Sequence, residues 1–335
     1  MPRLRAAIIG AGLMGRWHAR YASRCEVDIV AIVDPNRQTA RHLQKRFPRA
    51  VCCASLENAF ELPLDVFHIC TGSESHADIA EHALRARKHV LVEKPAALTI
   101  AKAEQLIEIA REMRLQLCPV HQFPFQRGFR NLCRHLPLIG ELIRIEYRVH
   151  SAGAEGLDDE ERRNVLLELL PHACSMVRRI APDSLSSGNV LVQRFTPNDL
   201  DCTASCGKLV FDLRFSLTAR PPVNWFTIAG TRGALHADLF HGYCCFEPGA
   251  TSRAAKLLRP FRQSLAQFSQ AAANLAVRTI LRQPAYPGLP ELIAEFYRAL
   301  KSGTPPIAPE EIPESAAVVE AVRNSRTASA RSAAA

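Results

Sequence analysis

No apolar run in the 335 residues approaches the ~20 needed to span a bilayer, and the first run is cut by Gly10 and Gly12 at about six residues, too short for the core of a secretion signal. A cytoplasmic chain is expected. The eleven cysteines contain no CxxC pair and no paired zinc-ligand spacing. Cys202 and Cys206 with the Cys244–Cys245 pair come nearest to a ligand set, but a four-residue gap alone is not a site. No metal is expected, and the cysteines read as reduced, small, buried residues. The net charge of +9 comes without any usual nucleic-acid motif, and its cations are spread along the chain, so a basic enzyme is expected rather than a nucleic-acid binder. One absence is local. Between Ala250 and Pro290 there is no Asp or Glu, against Arg253, Lys256, Arg259, Arg262, Arg278 and Arg282.

What is present sorts into two halves, as the length suggests. A short apolar run at 5–9 leads into Gly10-Ala11-Gly12-Leu13-Met14-Gly15 and then a helical pattern to Ala22. This is GxGxxG between strand and helix, the setting the motif requires. The first glycine permits the tight turn, the second lets backbone approach a pyrophosphate, and the third lets helix pack close on strand. The helix N-terminus adds free N–H groups and the positive dipole end. Asp34 ends the second apolar run, 27–33. A carboxylate there accepts from a ribose hydroxyl and repels a 2′-phosphate, favouring NAD over NADP. Arg37 would tolerate the phosphate, so NADP stays open. Asp34 also has a purely structural reading, as the start of an Asp-Pro turn ahead of a helix over 35–47.

Further strands are expected near 51–53, 64–70, 90–92 and 116–120, alternating with helices at 73–87 and 99–113, which makes a mostly parallel, doubly wound sheet. The last of these helices should bury Ile100, Ala103, Leu106, Ile107 and Ala110. Thr71 follows the fourth strand and His76 lies in the first turn after it, ordinarily a packing or capping position. Glu93, Lys94 and Pro95 leave the carboxyl end of the next strand, where open α/β sheets bind ligands. A lysine after a strand is usually a solvated loop residue, and only its surroundings give it weight.

Those surroundings carry a resemblance. The glycine motif, His18 soon after it, Asp34, Thr71, His76 and the Glu93-Lys94-Pro95 triplet resemble the Gfo/Idh/MocA oxidoreductases, the relatives of glucose–fructose oxidoreductase and inositol dehydrogenase. A histidine-bearing helix at 166–179, the Gly230-Thr231-Arg232-Gly233 turn and an ending at 296–305 extend it along the chain. The resemblance implies an α/β fold: an N-terminal Rossmann domain over 1–120, then a C-terminal α+β domain over 121–325 with a large, mainly antiparallel open sheet. Residues 326–335 read as a disordered tail. It implies an NAD(P)-dependent dehydrogenase or reductase acting on a secondary alcohol or ketone of a sugar, cyclitol or nucleotide sugar, and a homo-oligomer, dimer or tetramer, built through the C-terminal sheet. Cofactor contacts are implied for Gly10, Gly12, Leu13, Met14, Gly15, Asp34, Arg37, Thr71, His76, Glu93, Lys94 and Gln122.

The second half reads as strands at 141–150, 189–195, 208–218, 223–229 and 233–239. Leu209, Phe211, Leu213 and Phe215 alternate with Val210, Asp212, Arg214 and Ser216, the period of a half-buried strand. One face should pack on helices, and the polar face suits a subunit contact. A helix at 164–180 carries Glu168, Pro171 and His172. The family places an aspartate four residues before a catalytic histidine, on one helix face. Here His172 matches, Glu168 stands at the aspartate position, and Pro171 would break the helix and leave Glu168 on the entering loop. The implied roles are His172 as general base in oxidation, Lys94 on the reacting oxygen, and Glu168 orienting His172 or standing by. Glu93 would lie nearer the nicotinamide ribose, and Pro95 would fix the loop carrying Lys94. A buried structural role for His172, and a cofactor-binding sensor without catalysis, are the alternatives. The basic segment 253–282, with an amphipathic helix at 265–281, suits an anionic membrane or acidic partner, a cleft wall favouring a phosphate-bearing substrate, or a solvated insertion.

Overall fold

The structure, a computed structural model, describes residues 3–333 apart from positions 183, 251 and 284. In chain order the first elements are β1 (Leu4–Ile9), α1 (Leu13–Ala22), β2 (Val27–Val33), α2 (Arg37–Gln44), β3 (Val51–Cys53), α3 (Leu56–Phe60), β4 (Val66–Ile69), α4 (His76–Arg85), β5 (His89–Val92), α5 (Ile100–Glu112) and β6 (Leu117–Pro119). Then come α6 (Arg127–His135), β7 (Leu142–His150), α7 (Asp159–Leu167), α8 (Leu170–Ile180), β8 (Val190–Phe195), β9 (Asp199–Cys206), β10 (Leu209–Ser216), β11 (Val223–Gly230), β12 (Gly233–Asp238), β13 (Tyr243–Pro248), α9 (Arg253–Ile280), α10 (Leu289–Ser302) and α11 (Glu311–Ala333). The chain forms two compact units: one runs to His121 and takes in Leu289–Ala317, the other is Gln122–Gly288 with the chain from Val318. The second half is therefore interrupted where a continuous 121–325 was expected, because the apolar faces of α10 and the start of α11 are spent on the first core. Phe296 and Tyr297 are buried there, and Ile312 and Ala316 join the cluster of Phe67, Ile69, Val90 and Val92. From position 326 the side chains lie outside the described residues, while the backbone continues α11 to Ala333.

The first unit is a parallel sheet in the order β3-β2-β1-β4-β5-β6. Its central strands read as unbroken apolar runs because helices cover both faces; all four residues of β4 are buried, His68 among them. The order reverses between β1 and β4, so the loops after these two strands open the crevice where such sheets bind ligands. In α5 the buried residues are Ala103, Leu106, Ile109 and Ala110; Ile107 of the expected stripe is half-buried against the same core, while Ile100, at the first turn, is exposed.

The second unit is a seven-stranded sheet in the order β13-β12-β11-β7-β10-β9-β8, antiparallel except for β7 beside β10. Along β10, Leu209, Phe211, Leu213 and Phe215 point inward to a core shared with Phe129 and Leu132 of α6, Leu166 and Leu167 of α7, and Met176 and Val177 of α8. The other face carries ion pairs such as Arg214–Asp201 at 3.5 Å and His236–Glu247 at 3.3 Å. Strands β9 and β13 were not expected. Leu200, Cys202 and Ala204 alternate inward too weakly in β9 to stand out, and the paired cysteines of β13 have no alternation. The single helix expected at 164–180 is two helices, parted by Glu168 and Leu169. Pro171 lies in the first turn of α8, where its missing N–H costs nothing. The chain just before it becomes helical at Asp159, where Asp158 and Glu161 form a capping box.

Candidate functional site

The first unit builds a nucleotide cradle from backbone. Gly10 turns the chain at φ +90°, a conformation glycine adopts at no steric cost, and its N–H donates to the Val33 carbonyl at 2.8 Å. A Cβ on Gly15 would lie 1.9 Å from the Gly10 carbonyl oxygen, so α1 seats on the turn only with glycine there. A Cβ on Gly12 would meet nothing within 4 Å. Gly12 is also the N-cap of α1, with no side-chain cap and no acidic residue in the first turn. Open N–H groups at a positive helix end fit a pyrophosphate. Leu13 and Met14 follow in that first turn, Leu13 exposed.

Asp34 accepts from the Ala11 N–H and from the Asn36 N–H, each at 2.8 Å, so one carboxylate ties the glycine turn to the end of β2. The helix cap belongs instead to Asn36, which accepts from Gln38 and Thr39. Asp34, Arg37, Arg41, Cys53 and Asn58 line a cavity of about 440 Å³ beside the turn. It has the carboxylate a free ribose calls for and the guanidinium groups a phosphorylated one would use. The residues present fit a nicotinamide dinucleotide.

Beyond β4, Thr71 Oγ1 and Ser75 Oγ lie 2.7 Å apart. His76 is buried and holds two loops together: Nδ1 is 2.8 Å from the Pro95 carbonyl and Nε2 is 3.1 Å from the Thr71 carbonyl. Both partners only accept, so a neutral ring donates to one at a time. Behind β5 runs a buried chain of polar groups. The Tyr297 hydroxyl is 2.5 Å from His68 Nε2, His68 Nδ1 is 3.0 Å from His18 Nδ1, and His18 Nε2 is 3.1 Å from Glu93 Oε1. Burial, then the neighbouring His18, pushes the His68 pKa well down, so its ring is neutral. Burial pushes the Glu93 carboxyl up, but the His18 hydrogen bond and the charges of His18, Lys94 and His76 outweigh it, and the net shift is down. Glu93 accepts from His18 Nε2–H; in the His18–His68 contact one Nδ1 donates and the other accepts, and the Tyr297 hydroxyl donates to His68 Nε2 or accepts from it accordingly. Glu93 Oε2 in turn accepts from the Lys94 N–H at 3.3 Å. Lys94 is half-buried at the strand end, before a cis peptide bond to Pro95.

In the second unit His172 is buried near the start of α8, its ring 4.3 Å from that of Phe123, and its carbonyl accepts from Ser175 Oγ at 3.0 Å. Gln122, also buried, lies just before Phe123. Glu168 closes α7 and is half-buried. The expected residues thus gather in two groups: Gly10 to Gly15, Asp34, Arg37, Thr71, His76, Glu93 and Lys94 in the first unit, and Gln122, Glu168 and His172 in the second. Sequence reasoning missed His68, Tyr297 and Phe123. A lone histidine inside the apolar run of β4 is the one signal that pointed toward the buried chain. Another cavity, about 520 Å³, lies beneath α9 against β11 to β13 and holds none of these residues.

Residues 4–121 match the model of an oxidoreductase family with an NAD-binding Rossmann fold, GFO/IDH/MocA. Over 138 residues the chain is 31% identical to UDP-N-acetylglucosamine 3-dehydrogenase of Acidithiobacillus ferrooxidans, covering 38% of this chain and 43% of that protein. Over 131 residues it is 25% identical to myo-inositol 2-dehydrogenase of Thermotoga maritima, covering 38% and 39%. The chain thus spans less than half the length of these curated relatives. The fold likeness runs further: the structure of KijD10, a 3-ketoreductase from Actinomadura kijaniata in complex with NADP and TDP-benzene, superposes with a TM-score of 0.74 over 96% of this chain and 98% of that one, at 18% identity. The glycine turn, Asp34 and the matched residues place the NAD-binding Rossmann unit of this chain in the Gfo/Idh/MocA oxidoreductase family.

Proposed function

We propose that this chain is a nicotinamide-dependent dehydrogenase or reductase acting on a secondary alcohol, or the matching ketone, of a sugar, cyclitol or nucleotide sugar. The observation that carries it is the cradle at Gly10–Gly15, open at Gly12 and braced by Asp34. When bound, the nicotinamide exchanges a hydride with the carbinol carbon. The chain orients it and handles the hydroxyl proton. Lys94 donates to the reacting oxygen and stabilises alkoxide charge as it develops. His172 takes the hydroxyl proton in oxidation and returns it in reduction, the exchange an imidazole performs as general base and then general acid. Glu93 holds the backbone that carries Lys94, and Glu168 orients His172. NAD is the preferred cofactor, with Arg37 and Arg41 leaving room for NADP. The relatives named above, acting on a nucleotide sugar and a cyclitol, support the substrate class. The polar, ion-paired face of the seven-stranded sheet is the proposed self-contact of a homo-oligomer, and eleven free cysteines support a cytoplasmic setting.

The test is a scan of sugars, cyclitols and nucleotide sugars with NAD⁺ and NADP⁺, followed by absorbance of the reduced cofactor. Turnover of at least one class is expected. With that substrate, Lys94→Met should lose on the order of a thousandfold in kcat and keep NADH binding. A near wild-type rate in Lys94→Met rejects the assigned role. A large loss in Glu168→Gln shows that glutamate serves where the family uses aspartate. Cofactor binding with no turnover across the scan favours a sensor.

A further inference from the structure

Helix α9 is built inside out. Its 28 residues run along the outer strand β13, and the side that faces the sheet is made of small and polar groups. Ala255, Ala266 and Val277 are half-buried and Asn274 is buried. Gln267 Nε2 donates to the Tyr243 hydroxyl at 3.0 Å, Asn274 Nδ2 donates to the His241 carbonyl, and Arg259 pairs with Glu247. The bulky apolar residues point the other way. Leu257, Leu258, Phe261, Leu265, Phe268, Leu275 and Ile280 are between 52% and 78% exposed. Leu258, Phe261, Leu265, Phe268 and Leu275 follow one another at helical spacing, and at about 100° per residue they form one stripe opposite the packed side. A surface helix of a folded protein ordinarily turns such a stripe inward.

Charge decides what covers it. From Ala250 to Pro290 there is no carboxylate, while Arg253 and Arg262 are exposed on the two shoulders of the stripe and Lys256 is exposed further round the helix. Two copies of α9 paired through their stripes would set cation against cation, without the opposite charges that flank a stable helix pair. An anionic lipid surface supplies both an apolar layer and the countercharge. No helix among the described residues is long and apolar enough to cross a membrane, so the helix would lie in the plane of the interface.

We propose that α9 docks this protein on the surface of an acidic phospholipid bilayer, laying its Leu/Phe stripe into the boundary between headgroups and acyl chains, with Arg253 and Arg262 on lipid phosphates. The assignment is independent of the reaction proposed above. The test is flotation of the full chain with phosphatidylcholine vesicles, with and without phosphatidylglycerol, at low and high salt. The wild type should float with the acidic vesicles and be released by salt. The charge variant Arg253→Glu/Arg262→Glu should lose on the order of a hundredfold in affinity. The stripe variant Phe261→Ser/Leu265→Ser/Phe268→Ser should stay in solution with an unchanged melting temperature, since those residues are 70% or more exposed. Failure of the wild type to float, equal binding to neutral vesicles, or undiminished binding by the stripe variant overturns the proposal. So does a stripe that mediates self-association instead, seen as wild-type oligomers that dissociate in the stripe variant without any vesicle binding.

Discussion

Single buried groups in the first unit make sharp demands. His68 is fully enclosed, and burial with its neighbour His18 holds its ring neutral where an unfolded histidine takes up a proton near pH 6.5. Below that value the unfolded chain binds more protons than the folded one, so stability falls as pH falls. Glu93 adds the same sign lower down: its contribution is present above about 4.5, the ordinary carboxylate range, and is lost as pH drops through its depressed folded value. Urea denaturation at a series of pH values should show stability declining from about pH 7 to pH 5, and His68→Asn, which cannot titrate, should flatten that decline. Asp34 makes a demand of another kind. Asp34→Ala removes the charge that opposes a 2′-phosphate while Arg37 and Arg41 remain, so the ratio of NADP to NAD affinity, read by titration, should rise about tenfold. Lys94 itself could not be judged from its own position in the sequence. Its setting, with Glu93 fixed by His18 and His76 fixed to Pro95, was only partly legible, because His68 and Tyr297 are 229 positions apart and meet through the fold alone.

Elements separate two kinds of glycine. Gly15 is required by packing, since any Cβ collides with the Gly10 carbonyl, whereas Gly12 faces open space that the cofactor would occupy. Gly15→Ala should cost about 2–3 kcal/mol of stability by overpacking α1 against its turn, measured by urea denaturation. Gly12→Ala should leave stability unchanged and weaken NADH binding; equal loss of stability in both variants would show that the open face of Gly12 is not a ligand surface. The elements were legible where the apolar period was strong, as in β10, and illegible where it was not. Cys202 in β9 and Cys244 in β13 are buried as small strand residues, their thiols pushed up by burial to about 12, yet in the sequence they stood out only as cysteines. The split between α7 and α8 was readable from Pro171, because a proline is cheap in a first turn and costly anywhere later.

At the scale of the molecule, each unit has its own core, and cofactor would bind the first. A ligand that binds only the folded form stabilises what it binds. In moderate urea, NADH should therefore slow thiol labelling of Cys53 and Cys118, buried in the first unit, more than that of Cys202 and Cys244 in the second, as read by mass spectrometry. Equal protection of all four would show that the units unfold together. Exposed Cys206 should label first with or without cofactor.

Local spacing alone determined the alternating strands and helices of the first unit, the glycine turn with Asp34 at the end of β2, and the break at Pro171, since turn geometry, period and a missing N–H act over a few residues. Tertiary structure decided what depends on distant partners: that Leu289–Ala317 completes the first unit, that Tyr297, His68 and His18 brace Glu93, and that α9 turns its apolar side outward. The last is the clearest case. The hydrophobic stripe of α9 is written in its sequence, but whether a stripe faces the core or the solvent is settled by which side the neighbouring strand occupies. Here β13 takes the side of Ala266, Gln267 and Asn274.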